Sequence, residues 1–418
     1  MKLVSIELDY AAASPLILDP RRCRLVANLE GPAGLSLAES QKALTQAITT
    51  PLSGPPLAKH VVPGDRVTVA IPGLLLGMVK GLDGLIQQVC DCLQASGVDR
   101  GDISLLISPS LNLYNEQLCS QQPLGSVNDD GRHSVHFCAA EGEETAYLLA
   151  DDDGEPLHLA RQLVDADVVV AVESYCCDAA FSGRSPAGEL WPSFGRLDRQ
   201  QSLTRSLLRS CRSSRYAWRA LAEKVTFQLG ILASLRLVPG RDNTLAGISF
   251  GFPKEALGAA RQGAHSWRPS SALSGLTIAG ISRPNCDFAA VTSAVAAAAR
   301  TTSSGGTICI ASNLTKGPGL VFTRWRQGAN LKMLLREAVH SGDPAIVREA
   351  LQTKLFAQAL GDRRLVLLSG LDQDLVEDLD IGHASSPEAI DRLMHQAGSV
   401  TLLHEADRLC PKRADGEA

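Results

Sequence analysis

The chain has 418 residues, 45% of them hydrophobic and 20% charged, with a formal net charge of −5. At roughly 100–200 residues per domain this length gives two or three domains with full hydrophobic cores, and the composition excludes a disordered polyelectrolyte. The acidic excess argues against a nucleic-acid partner held by overall charge.

The N-terminal run Met1-Lys2-Leu3-Val4-Ser5-Ile6-Glu7-Leu8-Asp9 alternates apolar and polar residues as a strand does, and it lacks the long apolar stretch of a secretory signal. The turn Pro63-Gly64-Asp65 precedes a predicted strand over 66–71. From Val79 to Ser96 the apolar residues Leu82, Leu85, Ile86, Val89 and Leu93 recur on one helical face, and Asp102 to Ile107 is the next strand. Such a strand–helix–strand unit predicts parallel pairing with a right-handed crossover. Val168 to Val172 is apolar without alternation, as in a strand buried on both faces. Further strands are predicted over Val225–Leu237 and Thr244–Gly251, followed by a helix that Pro253 opens.

The Ser- and Pro-rich stretch from Ser266 to Leu273 reads as the boundary between two domains, 1–265 and 274–418. Beyond it the pattern predicts strand Leu276–Ile281, an Ala-rich helix Phe288–Arg300, and a connection ending at Gly305-Gly306 before strand Thr307–Ala311. Helices near Phe322–Val339 and Pro344–Ala359, strand Arg364–Leu368, helix Pro387–Gln396 and strand Val400–His404 follow. Nothing reaches ~18 uninterrupted apolar residues, so no membrane span is expected. The eleven cysteines are scattered and form no C-x-x-C pair. They read as free thiols in a reducing compartment, the cytoplasm.

The order of these elements and several local phrases together resemble the nickel-dependent lactate racemase family. The phrases are Pro63 to Ile71, Ala166 to Glu173, the turn Ala179-Ala180-Phe181-Ser182-Gly183, and Gly305-Gly306-Thr307-Ile308; Asp287 matches an aspartate that opens a helix. The resemblance implies an α/β protein of two domains, each a mostly parallel sheet flanked by helices, with a ligand cleft between them. It also implies racemisation of a 2-hydroxy acid by hydride transfer to and from a nickel pincer nucleotide. That cofactor is tethered to a lysine, with histidines as nickel ligand and as acid and base. Imidazole suits both tasks, and a lysine amine can carry a covalent tether.

The positions that match those groups hold other residues. The family's Gly-Thr-His turn falls at Ser108-Pro109-Ser110-Leu111-Asn112, and no histidine occurs between His60 and His133. The tether lysine falls near Arg184-Ser185, and no lysine occurs between Lys80 and Lys224. The Glu-Pro-His-Tyr phrase is replaced by Glu173-Ser174-Tyr175-Cys176-Cys177-Asp178, with no histidine between His158 and His265. The Asp-x-Thr-Arg turn falls at Pro72-Gly73-Leu74-Leu75, and the Gln-x-x-Lys pair at Thr292 and Val295. The expectation is therefore a divergent relative without the family's racemase chemistry, without its cofactor, and binding a small anion or a partner protein. The alternative is an active isomerase or other enzyme on the same fold that uses different residues, around Tyr175, Cys176, Cys177 or Asp178.

The positive signal for an anion is a stripe of Arg205, Arg209, Arg212, Arg215 and Arg219, spaced to share one helical face opposite Leu203, Leu207, Cys211, Trp218 and Leu221. Arginine presents planar donors suited to carboxylate and phosphate, although such faces are commonly only solvated. Ser182, Gly183, Arg184 and Ser185 form a polar turn whose amides can hold an anion or simply reverse the chain. Asp151-Asp152-Asp153-Gly154 lacks calcium-loop spacing and reads as a solvated turn. His133 and His136 share a strand face without a third metal ligand and read as ordinary histidines.

Overall fold

Apolar β-branched runs alternate with amphipathic helices along most of the chain, and the computed structural model assembles them into two six-stranded sheets. It describes residues 5–19, 21, 23–109, 134–138 and 142–414. The chain divides into a central unit, 32–176 with 185–264, and a C-terminal unit built from the residues up to 31, from 177–184 and from 265 onward.

The N-terminal segment forms an antiparallel hairpin, β1 (Ile6–Leu8) with β2 (Leu16–Leu18), and then β3 (Leu25–Leu29). In the central unit, α1 (Leu37–Thr49) starts at a reciprocal cap. The Ser36 hydroxyl accepts from the Glu39 amide, and the Glu39 carboxylate accepts from the Ser36 amide at 2.8 Å. There follow β4 (Val67–Ile71), α2 (Leu82–Ala95), β5 (Ile103–Ile107) and β6 (Ser134–Phe137). The unit continues through the hairpin β7 (Thr145–Ala150) and β8 (Pro156–Ala160) to β9 (Val168–Ser174). A short hairpin, β10 (Cys177–Asp178) with β11 (Gly183–Arg184), belongs to the C-terminal unit. Back in the central unit come α3 (Leu197–Arg209), α4 (Cys211–Gln228), β12 (Ser234–Pro239), β13 (Leu245–Gly251) and α5 (Pro253–Gly263). The central sheet runs β13-β12-β9-β4-β5-β6, parallel except for β12 against β13. β4 is buried at every position, so its unbroken apolar run reflects cover on both faces.

The C-terminal unit continues with β14 (Ser270–Ser271), β15 (Ser274–Gly280), α6 (Phe288–Ala299) and β16 (Thr302–Ala311). Helices α7 (Leu320–Arg326), α8 (Leu331–Val339) and α9 (Pro344–Leu360) lead to β17 (Arg364–Leu368). Then come α10 (Gln373–Asp378), β18 (Gly382–His383), α11 (Pro387–Gln396), β19 (Val400–Leu403) and β20 (Lys412–Arg413). Its sheet is wholly parallel, in the order β18-β17-β16-β15-β19-β3. α6 is buried along its whole length, which explains why small alanines fill it: they let helix and sheet backbones approach closely. Among the described residues, no helix is long and apolar enough to cross a membrane.

Four local expectations change. The segment before residue 32, expected within a first domain of residues 1–265, supplies β3 to the other sheet, because β3 pairs in parallel register with β19. Val225 lies in α4, and of the predicted strand over Val225–Leu237 only residues 234–237 are extended, as the start of β12. Its apolar residues satisfy a helical face as well as a strand. Gly305-Gly306 is no connection but part of β16, where the register with β15 shifts and Gly305 takes φ +67°. The arginine stripe is not one helix: Ser210, at φ −144° and ψ 97°, separates α3 from α4.

Candidate functional site

In parallel sheets the groups that meet ligands gather beyond the carboxyl ends of the strands. In the central unit that edge is formed by the residues after β4, β5 and β9. After β4 the chain enters a short 3-10 turn over Gly73–Gly77, and the Gly73 amide donates to the Ser108 hydroxyl at 3.2 Å. Ser110, Leu111 and Asn112, the rest of the segment matched to the family's histidine turn, lie outside the described residues, as does His133. His136 lies exposed on β6.

After β9 the side chains turn to one another. The Ser174 hydroxyl and Cys176 thiol are 2.9 Å apart, and the thiol lies 3.7 Å from the Met78 sulfur. The Tyr175 amide donates to the Leu237 carbonyl and the Ser185 amide to the Cys176 carbonyl, both at 3.0 Å. Tyr175, Cys176 and Cys177 are all buried. A Cβ on Gly188 would stand 2.2 Å from the Ser174 hydroxyl and 2.9 Å from its carbonyl oxygen, so only glycine admits this approach of the following turn.

Beneath this loop lies an ion cluster that the sequence reading missed. Arg236 on β12 sits between Glu173, at 2.7 Å, and Glu189, at 2.9 Å, with all three side chains at most 4% exposed. Glu173 also accepts the Leu190 amide at 3.0 Å. Burial acts to lower the guanidinium pKa, but Glu173 and Glu189 outweigh it and the net shift is upward. The signal in the sequence was a charged residue inside the apolar run Ser234 to Val238.

The remaining turn residues are placed in the C-terminal unit. In the β10–β11 hairpin Cys177 pairs with Arg184 and Asp178 with Gly183. The Asp178 carboxylate accepts the Ala180 amide at 2.9 Å, and the Ser182 amide donates to the Ala179 carbonyl. Ser182 is exposed at φ +55° and Gly183 takes φ +133°. Ser185, in the central unit, is buried, and its hydroxyl accepts the Ala187 amide. Ser182 to Ser185 are thus adjacent in the chain but divided between two units.

Arg209 and Arg212 are exposed on α3 and α4 and make no ion pair among the described residues, while Arg219 lies over the Trp218 ring at 5.6 Å. The apolar side is seated: Leu207 and Trp218 are buried, and Leu203 and Leu221 pack on the core that holds Trp218. Asp151 closes the β7–β8 turn by accepting the Asp153 and Glu155 amides, and it pairs with Arg199 of α3. Burial raises the Asp151 carboxyl, but the Glu155 amide and Arg199 outweigh it and leave it below the ordinary 3.8. Its stabilisation is therefore complete above the usual carboxylate range and lost as pH falls through the lowered value. Asp151→Asn should cost about 1 kcal/mol at neutral pH and nothing in acid, read from urea midpoints at the two pH values.

The matching edge of the C-terminal sheet is also polar. Arg283 pairs with buried Asp407, and Ser282 donates to Glu405 at 3.4 Å. Asp287 caps α6 by accepting the Ala290 amide at 2.8 Å, and burial pushes the neighbouring Cys286 thiol up to about 12. On α6 the Thr292 hydroxyl donates to the Phe288 carbonyl, and Val295 is wholly buried.

No protein-family profile and no curated protein matches the chain. Among solved structures, the lactate racemase apoprotein from Thermoanaerobacterium thermosaccharolyticum superposes with a TM-score of 0.73 over 98% of this chain and 100% of its own, at 12% identity. The chain has a lactate racemase-like fold. A Thermotoga maritima protein determined by the Northeast Structural Genomics Consortium matches 92% of this chain and 100% of its own, with a TM-score of 0.62 at 11% identity. At such identities the lactate racemase-like likeness speaks for the fold, and chemistry must be read from the residues.

Proposed function

We propose that this chain uses a lactate racemase-like fold to hold a small anion, and that it does not perform nickel-pincer racemisation. The observation that carries this reading is the inventory of the segment 173–185. It offers carboxylates, hydroxyls, a phenol, two thiols and a guanidinium, but no imidazole and no primary amine. A nickel hydride centre of the family's kind needs imidazole as ligand and proton acceptor, and an amine as tether. Arg184 supplies a guanidinium, whose planar donors suit an anion. The thiol of Cys176 is buried against Ser174 and Met78. Among the described residues, no group of three or more His, Cys, Asp and Glu is arranged to hold a metal ion. The residues present do not fit the pincer nucleotide. The candidate anion contacts are Ser182, Gly183 and Arg184 within the C-terminal unit and, separately, the exposed Arg209 and Arg212 within the central unit.

Protein produced alongside the family's maturation enzymes tests the chemical half of this reading. Nickel content, intact mass and interconversion of D- and L-lactate are the measurements. The expected result is no stoichiometric nickel, an unmodified mass and no racemisation. One equivalent of nickel with an adduct mass and turnover would sink the reading.

A further inference from the structure

A hollow of about 340 Å³ opens within the C-terminal unit, away from the carboxyl edge of its sheet. Three arginines reach it from separate elements: Arg300 at the end of α6, Arg363 between α9 and β17, and Arg413 on β20. Ser182 from the β10–β11 hairpin and Gln358 from α9 add neutral donors, and the rest of the wall is alanine with Leu355.

The arginines are positioned by backbone carbonyls. Arg363 donates from Nε to the Thr302 carbonyl at 3.0 Å and from Nη1 to the Leu360 carbonyl at 3.4 Å, and Arg300 donates to the Pro411 carbonyl at 3.4 Å. Asp362 stands 4.0 Å from Arg363 but is engaged by the Ser304 hydroxyl and the Gly305 amide, and Arg413 makes no ion pair among the described residues. Burial lowers the Arg363 guanidinium pKa, Asp362 opposes this, and the like charge of Arg413 lowers it further.

We propose that this hollow binds a small phosphorylated organic molecule. Convergent cations from three directions suit a tetrahedral dianion, whereas one bidentate arginine satisfies a planar carboxylate. The volume exceeds that of a bare phosphate and lies at the small end of organic-ligand pockets. Its alanine wall suits a compact apolar body attached to the phosphoryl group. The proposal rests on the reading that the chain binds an anion, but not on the loss of racemase chemistry.

Calorimetric titration of the full chain at low ionic strength, with inorganic phosphate and with phenyl phosphate, tests it. Wild type should bind both saturably, phenyl phosphate more tightly. Arg300→Gln/Arg413→Gln should weaken both by about 10–100-fold. Arg413→Gln alone, at an exposed position, should weaken them by about tenfold and leave the melting temperature unchanged. The proposal fails if wild type shows no saturable binding. It also fails if the arginine variants lose melting temperature and no affinity, as mere helix C-terminal caps would. It fails too if affinity drops only in Arg209→Glu/Arg212→Glu, which moves the anion to the helices and spares the general reading. Nickel, adduct mass and racemisation would overturn that general reading without bearing on the hollow.

Discussion

Replacing Arg236 with methionine is expected to destabilise the chain by about 3–5 kcal/mol, because it leaves buried carboxylates without their cation. Glu173 and Glu189 are 4% and 2% exposed, and Arg236 is the cation that bridges them. The Leu190 amide that Glu173 accepts is a neutral donor and does not replace the lost charge. The damage should be local to the central unit, so hydrogen exchange at β9 and β12 should accelerate while β15 and β16 stay protected. The triple variant Glu173→Gln/Arg236→Met/Glu189→Gln should recover much of the loss, since removing all partners of a buried ion cluster is far milder than removing one. If Arg236→Met alone matches wild type in its urea midpoint, the cluster does not hold this edge together.

Phe356→Ala should cost the C-terminal unit about 3–5 kcal/mol. The chain has only nine phenylalanines and four tryptophans, yet several meet at this point. Phe356 is fully buried and stacks on Phe288 at 5.6 Å and 26°, with Phe322 edge-on at 4.9 Å and Trp325 at 6.3 Å. Aliphatic side chains cannot collapse far into an aromatic void, so a cavity persists and its walls lose contacts. Helix α7, which carries Phe322 and Trp325, should fray first in hydrogen exchange. Phe356→Leu keeps most of the volume and should cost less than half as much. Equal midpoints for wild type and Phe356→Ala would mean that this cluster is dispensable.

Much of the architecture was legible because it is written in local periodicity. The run Val67 to Ile71, the face Leu82 to Leu93 and the run Ile103 to Ile107 specify a strand, a helix and a strand wherever they sit. Asp287 before an alanine run and the prolines at 253, 344 and 387 mark helix starts through the same local chemistry. The missing imidazoles and amines needed no coordinates at all, since wide stretches of the chain contain none.

Other features depended on groups far apart in the chain. That β3 pairs with β19 rests on backbone register between residues nearly a whole chain apart, to which hydrophobic pattern is blind. The break at Ser210 costs the arginine spacing nothing in sequence but ends the helix in space. The partners of Arg236, and the convergence of Arg300, Arg363 and Arg413 on one hollow, likewise come only with folding. The sequence by itself determined which segments are strands and helices and which chemical groups the chain lacks, because both are properties of neighbouring residues. Only the tertiary structure decided which charges meet, because Coulomb interaction depends on distance in space and on burial.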